Sequence, residues 1–376
     1  MSPSLRFPEF TGEWKYFSIN DVCSEFKSGK NIKADLISSN GNFPVYGGNG
    51  LRGYTSSYNH DGLYVLIGRQ GALCGNVRSV FGKIYITEHA IAVAGNEKSD
   101  TNFLHYLFLK MNLGQYSDQS AQPGLAVNKL LKLKVLLPSI SEQIKIAKLL
   151  SLLDERIAVQ SRLIDRLQSL MIGLNNSLYE QYGNDITTSF MELGYSYSGL
   201  SGKSAKDFGS GKPFITYLNV YSNIIVDETD YQYVRINDGE KQNIVRTGDV
   251  LFTLSSETPE EVGIGSVYLG EKEVYLNSFC FGIHIERNQL AYSPYLSYYV
   301  TSTAFRKFIY PFAQGSTRFN LCKADFEKAS IKLPSLDNQK RISAMLDCIA
   351  EKIRAEKAIL EYYNIQRQYL LRQMFI

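Results

Sequence analysis

Hydrophobic residues recur at helical spacing in two long stretches of the chain. The stretches open on LPSISEQIKI (137–146) and LPSLDNQKRI (333–342), and each continues for about 40 residues without proline. Their apolar residues step by three, four or seven positions, which is the heptad spacing of coiled-coil helices. The pattern predicts long helices at 141–181 and 336–376, with an apolar seam that contains Leu150, Leu153, Ile157, Ile164, Leu167, Leu346, Ile349, Ile353, Leu360 and Tyr363.

The two helical stretches are copies of one pattern. The seam of the second stretch matches that of the first at a shift of 196 positions, and the skipped heptad step falls at Gln160 and at the equivalent Glu356. Arg367 is an additional break in the second seam. Because a helix needs an apolar partner to bury such a stripe, we expect the two to form an antiparallel pair, each about 60 Å long. The alternative is that each helix packs on its own domain.

Short runs of β-branched and aromatic residues fill the segments before each helix. Examples between Gly-rich turns are GLYVLIG (62–68) and GDVLFTL (248–254), which are typical of strands. The repeat extends upstream, since AQPGLAVN (121–128) aligns with AQGSTRFN (313–320) at a shift of 192, which implies four residues inserted between Asn320 and Leu333. The sequence therefore predicts a mixed α/β fold with an internal twofold repeat, in which two α/β domains are separated by two long antiparallel coiled-coil helices.

Composition places the chain among multidomain globular proteins. It has 376 residues, of which 44% are hydrophobic and 20% are charged. The net charge is only +3, and residues 182–335 hold 14 basic against 17 acidic side chains, so any nucleic-acid binding must come from local patches or from partners. The five cysteines form no C-x-x-C pair, and the N-terminal residues contain no apolar signal core. These features favour a reduced, cytoplasmic protein with no membrane span.

Catalytic and metal-binding motifs are not evident in the sequence. GLSGKS (199–204) has two residues between its first Gly and the Gly-Lys pair, whereas a phosphate-binding loop needs four. The four histidines show no ligand spacing, and no Pro-Pro pair occurs, so the Asn-Pro-Pro-aromatic motif of adenine methyltransferases is absent. We therefore expect no catalytic residue and no metal ligand in this chain.

The duplicated helix openings, the QGSTRFN loop before the second helix and the GDVLF strand give the chain a family resemblance. It resembles the specificity subunits of type I restriction-modification enzymes over essentially its whole length. One departure is that the first copy has AQPGLAVN where the second has AQGSTRFN, so the Thr-Arg pair has no counterpart in the first copy.

The resemblance implies a division of the chain into two target recognition domains, at 1–140 and 182–335, and two helices, at 141–181 and 336–376. Each domain would read one half of a split double-stranded DNA site, and the helices would fix the unread gap between the halves. The chain itself would bind no cofactor. Two modification subunits would use S-adenosylmethionine to methylate adenine in DNA, and two restriction subunits would use ATP and Mg to cut it.

Recognition of bases needs Arg, Lys, Asn or Gln on exposed loops, because these side chains match the edges of guanine and adenine. The Gly-rich loops of the two domains supply such residues, and the predicted DNA contacts are Asn49, Arg52, Arg69, Gln70, Asn76, Arg78, Lys203, Lys206, Lys212, Ser255, Gln314, Thr317, Arg318 and Asn320. The alternative is a coiled-coil scaffold whose domains bind protein and have no DNA specificity.

Overall fold

The computed structural model describes residues 3–118 and 123–376, which form two compact units. Unit 1 combines the chain up to Arg162 with Ala358–Ile376, and unit 2 is Leu163–Lys357. Both unit boundaries fall within the long helices, whereas the sequence places the domain boundaries at the helix ends. The division into recognition domains and helices stays a prediction.

Unit 1 contains a mixed sheet with helices against it. Its sheet has the strand order β2-β7-β5-β6-β3-β4, in which β3 and β6 are parallel, and β1 pairs antiparallel with β8. The elements in chain order are β1 (Lys15–Ser18), α1 (Ile19–Val22), β2 (Cys23–Ser28), β3 (Phe43–Gly47), β4 (Gly50–Thr55), β5 (His60–Gly68), β6 (Val77–Ile86), β7 (Ala90–Gly95), α2 (Thr101–Met111), α3 (Val127–Leu131), β8 (Lys134–Leu137) and the first part of α4 (Ile140–Tyr182).

Unit 2 begins in the second part of α4 and ends in the first part of α10. Its elements are β9 (Ile186–Thr188), α5 (Phe190–Leu193), β10 (Gly194–Ser198), β11 (Phe208–Ile215), α6 (Tyr217–Ser222), β12 (Tyr231–Val234), β13 (Val250–Thr253), β14 (Ser255–Ser256), β15 (Gly265–Val267), β16 (Tyr275–Leu276), β17 (Cys280–Ile285), α7 (Ser293–Tyr299), α8 (Thr303–Ile309), β18 (Ala313–Gly315), β19 (Phe319–Leu321), α9 (Lys323–Lys328), β20 (Ile331–Leu333) and α10 (Leu336–Gln373).

The strand topology of unit 1 recurs in unit 2. The order β2-β7-β5-β6 corresponds to β10-β17-β13-β15, and the β1–β8 pair corresponds to β9–β20. In unit 1 the hairpin β3–β4 joins the sheet through parallel pairing of β3 with β6. In unit 2 the hairpin β11–β12 pairs in parallel with β16 instead, in a separate three-stranded sheet. The predicted mixed α/β fold with an internal repeat is therefore confirmed, and the repeat includes strands whose sequences share little.

The structure corrects the position of the four-residue insertion. Leu125 N donates to Arg69 O, and Leu321 N donates to Leu254 O, each at 2.9 Å, so Leu125 and Leu321 are equivalent and lie 196 positions apart. The extra residues therefore precede Leu321, and the predicted insertion between Asn320 and Leu333 is wrong. The sequence alignment misplaced it because Asn128 and Asn320 match by residue type although they occupy different elements. Residues 121 and 122 of that alignment lie outside the described residues.

A buried glutamine fixes the start of each long helix. Gln143 Nε2 donates to Lys98 O at 2.9 Å and to Pro138 O at 3.0 Å, while its Oε1 accepts from Asp100 N at 3.0 Å. The amide is fully buried, so each of these bonds replaces one that water would otherwise make. The bonds tie the first turn of α4 to the segment that leads into α2.

Gln339 repeats this arrangement in unit 2. Its Nε2 donates to Leu290 O and to Pro334 O, both at 2.8 Å, and its Oε1 accepts from Tyr292 N at 2.8 Å. The duplicated Leu-Pro-Ser…Gln sequence therefore encodes a specific backbone connection in each unit. We call the two arrangements the glutamine clamps.

Segments of both long helices pack together within unit 1. Asp154 of α4 forms an ion pair with Arg367 of α10 and accepts from Tyr106 of α2 at 2.9 Å, which explains the break that Arg367 makes in the apolar seam. Tyr363 lies beside α4 residues 152–160, whereas Leu370 lies beside 149–156, so the two segments run antiparallel. Phe375, just beyond α10, stacks on Phe103 of α2 with ring centroids 5.1 Å apart.

Unit 2 contains the corresponding helix segments. Ile342 and Leu346 of α10 are buried in a cluster that Leu174 and Leu178 of α4 border. Tyr298 of α7 donates to Asp347 at 2.6 Å, as Tyr106 does to Asp154 in unit 1. Each helix segment thus packs both on the other helix and on its own unit.

All ten predicted seam residues are buried or half-buried. Across residues 3–118 and 123–376, no helix has the length and apolar character needed to span a membrane.

We expect Gln143→Ala to lower the free energy of unfolding of unit 1 by about 2 kcal/mol, because it removes the three hydrogen bonds that this buried side chain makes to backbone groups of Lys98, Asp100 and Pro138. Trp14, the single tryptophan, packs on Phe103 in this unit, so its fluorescence during urea unfolding measures the change. Gln368→Ala, at an exposed position of α10, is the matched control and should change stability by less than about 0.5 kcal/mol. Equal stabilities of the two variants would contradict a structural role for the clamp.

Candidate nucleic-acid interface

Three loops of unit 1 meet at one end of its sheet and form what we call the first loop cluster, residues 47–52, 69–78 and 87–89. Gly50 has φ +102°, a conformation that favours glycine, and a Cβ added there would lie 3.2 Å from Nη2 of Arg78. A Cβ on Gly47 would lie 2.8 Å from Cδ of Arg52. The glycines thus allow two arginine side chains to lie directly on the β3–β4 turn.

The structure brings all six predicted contacts of the first domain into this cluster. Asn49, Arg52, Gln70, Asn76 and Arg78 are exposed, and Arg69 is half-buried. The loop that carries Arg69 and Gln70 is held by backbone hydrogen bonds to the next segment, from Leu125 N to Arg69 O at 2.9 Å and from Gly71 N to Pro123 O at 3.1 Å. The cluster therefore places side chains of the types suited to base edges on a fixed backbone.

Sequence reasoning missed His89 and Glu88 in this cluster. His89 Nδ1 lies 3.0 Å from Gln70 Oε1, and His89 Nε2 lies 3.1 Å from Glu88 Oε1. The run KIYITEHAIAV (83–93) reads as one strand, but it divides into β6 and β7, and residues 87–89 turn between them. Side chains in that turn join the loop cluster instead of the sheet.

In unit 2 the hairpin of β18 and β19 presents half of the predicted contacts, namely Gln314, Thr317, Arg318 and Asn320. Gly315 has φ +146°, and a Cβ there would lie 2.1 Å from Arg318 O, so the tight hairpin requires glycine. Asn320 pairs with Gln314 across the hairpin and with Ser255 of β14 on its other side. Gln314, Thr317, Arg318 and Asn320 are exposed, while Ser255 is buried beneath the hairpin.

Arg318, the single basic residue of this hairpin, contacts two other segments of unit 2. Its Nε and Nη2 donate to Ser255 Oγ at 3.3 and 3.2 Å, and its guanidinium carbon lies 5.8 Å from the ring centroid of Phe279. Phe279 is 55% exposed, and no sequence pattern marked it. Its position on Arg318 follows from the turn between β16 and β17.

A cleft of about 320 Å³ lies beside Arg318. Tyr217 and Tyr221 of α6 line it with their rings stacked, and Glu257 and Glu261 line it as well. Glu261 accepts from Tyr221 Oη at 2.8 Å and from Ser256 Oγ at 2.9 Å, and these hydrogen bonds lower the pKa of its carboxyl. The cleft thus combines one arginine, two tyrosines and two carboxyl side chains.

The three predicted lysines of unit 2 differ in their surroundings. Lys206 and Lys212 are exposed. Lys203 Nζ instead donates to Glu240 Oε2 and to Arg235 O, each at 2.6 Å, and its side chain is only 6% exposed. The hydrogen bond from Lys203 lowers the pKa of Glu240 to about 2.

A histidine–aspartate pair is buried in the sheet of unit 2, away from the hairpin loop. His284 Nδ1 lies 2.6 Å from Asp249 Oδ1, and Tyr197 Oη and Arg246 N donate to Asp249 Oδ2 at 2.7 and 2.8 Å. Burial raises the pKa of Asp249. These bonds join β10 and β17 to the turn before β13, so the pair serves the fold.

Comparison with known proteins identifies the repeated unit. The family model described as "Type I restriction modification DNA specificity domain" matches the chain twice, at residues 11–169 and 200–362. The "Type I restriction enzyme EcoprrI specificity subunit" of Escherichia coli is 42% identical over 154 residues, which are 40% of this chain and 38% of that protein. The match therefore spans well under half the length of that relative.

Two further comparisons cover almost the whole chain. The "Putative type I restriction enzyme specificity subunit S.HindORF215P" of Haemophilus influenzae is 24% identical over 360 residues, 89% of this chain and 86% of that protein. The crystal structure of the type I restriction-modification system S subunit from M. genitalium superposes with a TM-score of 0.65 at 17% identity, and covers 100% of this chain and 99% of that one. The second comparison shows a shared fold.

The family resemblance seen in the sequence is thereby confirmed. Each stretch that matches the family model covers most of one copy of the repeat, and together the two stretches cover most of the chain. The chain belongs to the family of type I restriction-modification DNA specificity proteins.

Proposed function

We propose that this chain is the sequence-specific DNA-binding subunit of a type I restriction-modification complex and that it recognises a bipartite site. One observation carries the proposal: the same fold occurs twice, and its loops bear different base-reading side chains in each copy. Unit 1 presents Arg52, Arg78 and Gln70, whereas unit 2 presents Arg318 on the hairpin of β18 and β19. A repeated scaffold with unlike loops suits a site with two unlike halves.

The fourteen predicted DNA contacts form part of this proposal, and Lys203, which is paired with Glu240, is tested separately below. The side chains suited to base edges lie on loops with fixed backbones in both units, which supports a role in reading sequence instead of general phosphate binding. The small net charge of +3 points the same way, because a protein that binds DNA mainly through phosphates needs a large positive surface.

Catalysis in this proposal belongs to the partner subunits. Two modification subunits would methylate adenine with S-adenosylmethionine, and two restriction subunits would cut DNA with ATP and Mg. The helix segments of unit 1 support a docking role, since Leu152, Val159, Ile365 and Tyr369 are apolar and at least half exposed. Action on the cell's own DNA also implies the cytoplasm as the compartment.

We expect methylome sequencing of cells that carry this chain with its modification subunit to show adenine methylation at one split motif with two unrelated halves. Cells with the modification subunit alone are the control and should lack the motif. Methylation that does not depend on this chain, or a motif without a gap, would contradict the proposal and favour a scaffold without DNA specificity.

We also expect the gap between the half-sites to follow helix length. Insertion of one heptad into each long helix adds about 10 Å of helix, which corresponds to roughly 3 base pairs at 3.4 Å per base pair. The methylome of the variant should show the same half-sites with the gap widened by that amount. An unchanged gap would contradict the role of the helices in spacing.

Substitution of Lys203 tests whether this predicted contact binds DNA or stabilises the fold. The pKa of Glu240 is lowered by its bond to Lys203, so the stabilisation from this pair is complete above about pH 4.5 and is lost as the pH falls toward 2. Lys203→Met should lower the midpoint of thermal unfolding at pH 7. The difference in midpoint between the variant and wild type should become smaller as the pH falls from 5 to 3.

Lys206→Met, at an exposed position of the same segment, is the control and should leave the midpoint unchanged. If Lys203→Met keeps the wild-type midpoint at pH 7 but weakens DNA binding, Lys203 acts as a DNA contact and the structural assignment is wrong.

A further inference from the structure

The cleft beside Arg318 has a donor arrangement that matches one particular base edge. Ser255 Oγ accepts from Nε and Nη2, which form one side of the planar guanidinium. The end of the guanidinium, with one N–H from each Nη atom, is thereby directed away from Ser255. Two parallel donors at this spacing match the O6 and N7 acceptors of guanine in the major groove.

The orientation of Arg318 is set before any ligand binds. The guanidinium carbon lies 5.8 Å from the ring centroid of Phe279. Tyr217 Oη donates to Ser255 O at 2.9 Å, and this bond fixes the serine that accepts from Arg318. Ser255 is also paired in the sheet with Asn320, two residues after Arg318. A preoriented arginine loses little conformational entropy on binding, which favours specific contact.

The acidic side chains of the cleft distinguish a base from a phosphate as the ligand. Glu257 is exposed and Glu261 is ionised, and both line the cleft with Arg318. Negative side chains repel a phosphate group but accept hydrogen bonds from the exocyclic amino group of cytosine. The charge balance of −3 over residues 182–335 fits this reading as well.

Arg318 has no arginine counterpart in the first copy of the repeat. Gln314 pairs with Asn320 across the hairpin that carries Arg318, and Asp118 N donates to Gly124 O at the equivalent place 196 positions earlier. At the same shift the sequence has Gln122 opposite Arg318. A side chain that occurs in only one copy is suited to reading a base in only one half-site.

We propose that the cleft binds the major-groove edge of a G·C base pair in one half of the recognised site. Arg318 donates to O6 and N7 of guanine, and the Glu257 carboxylate accepts from the N4 amino group of cytosine. This inference rests on the proposed DNA-reading function and assigns one base pair to named residues.

The test uses the complex of this chain with its modification subunit and duplexes based on the split motif found in the methylome, with every base substituted at each defined position. For Arg318→Ala we expect the preference for guanine at one position of one half-site to fall by about 5- to 150-fold. Glu257→Ala should weaken discrimination at the same base pair. Preferences at all other positions should be unchanged.

Two further variants control for charge and for folding. Arg318→Lys retains the charge but lacks the paired donors, so it should lose most of the guanine preference while the dependence of binding on salt stays as in wild type. Arg287→Ala removes an exposed arginine of unit 2 that does not line the cleft, and it should retain every preference.

Two results would overturn the inference while the proposed function stands. One is a uniform loss of affinity across all sequences with a salt slope smaller by about 1 in Arg318→Ala, which is the behaviour of a phosphate contact. The other is an unchanged preference at every position in the Arg318 variants. If the wild-type complex methylates no split motif, the proposed function fails and the inference fails with it.

Discussion

The glutamine clamps are the interaction on which the rest of the structure depends. Gln143 and Gln339 each use both ends of a fully buried amide to join three backbone groups. One belongs to the proline before the long helix, and two belong to the segment that leads into α2 or α7. A buried amide tolerates little displacement, because each lost bond leaves a polar group without water or a partner. The clamp therefore sets the direction in which a long helix leaves its unit.

Further contacts along the long helices also hold each helix against its unit. Tyr106 and Tyr298 donate to Asp154 and Asp347, at positions further along each long helix, so each unit holds its helix at two points. Leu150 and Leu346 are fully buried between these points. Since each unit includes segments of both long helices, neither helix buries its apolar seam alone. The heptad pattern in the sequence therefore reflects two sets of packing contacts, one with the other long helix and one with the unit itself.

The loops that carry the candidate DNA contacts obey a different constraint. In both units they are short, glycine-containing turns fixed by backbone hydrogen bonds, such as those of Leu125 to Arg69 and of Leu321 to Leu254. The scaffold can therefore stay the same while the side chains on the turns differ. Unit 1 places arginines over the β3–β4 turn, whereas unit 2 places Arg318 beside glutamates and tyrosines.

The sequence by itself determined the two long helices, their apolar seams, the mixed α/β class and the family. These features repeat every few residues or recur as whole segments, so local periodicity and the 196-residue shift were enough to find them. Only the tertiary structure decided that β2-β7-β5-β6 recurs as β10-β17-β13-β15, that the insertion precedes Leu321, and that Lys203 pairs with Glu240 while Arg318 rests on Ser255 and Phe279. Such contacts join residues that are tens of positions apart, and their geometry depends on turns whose conformation no short sequence window fixes.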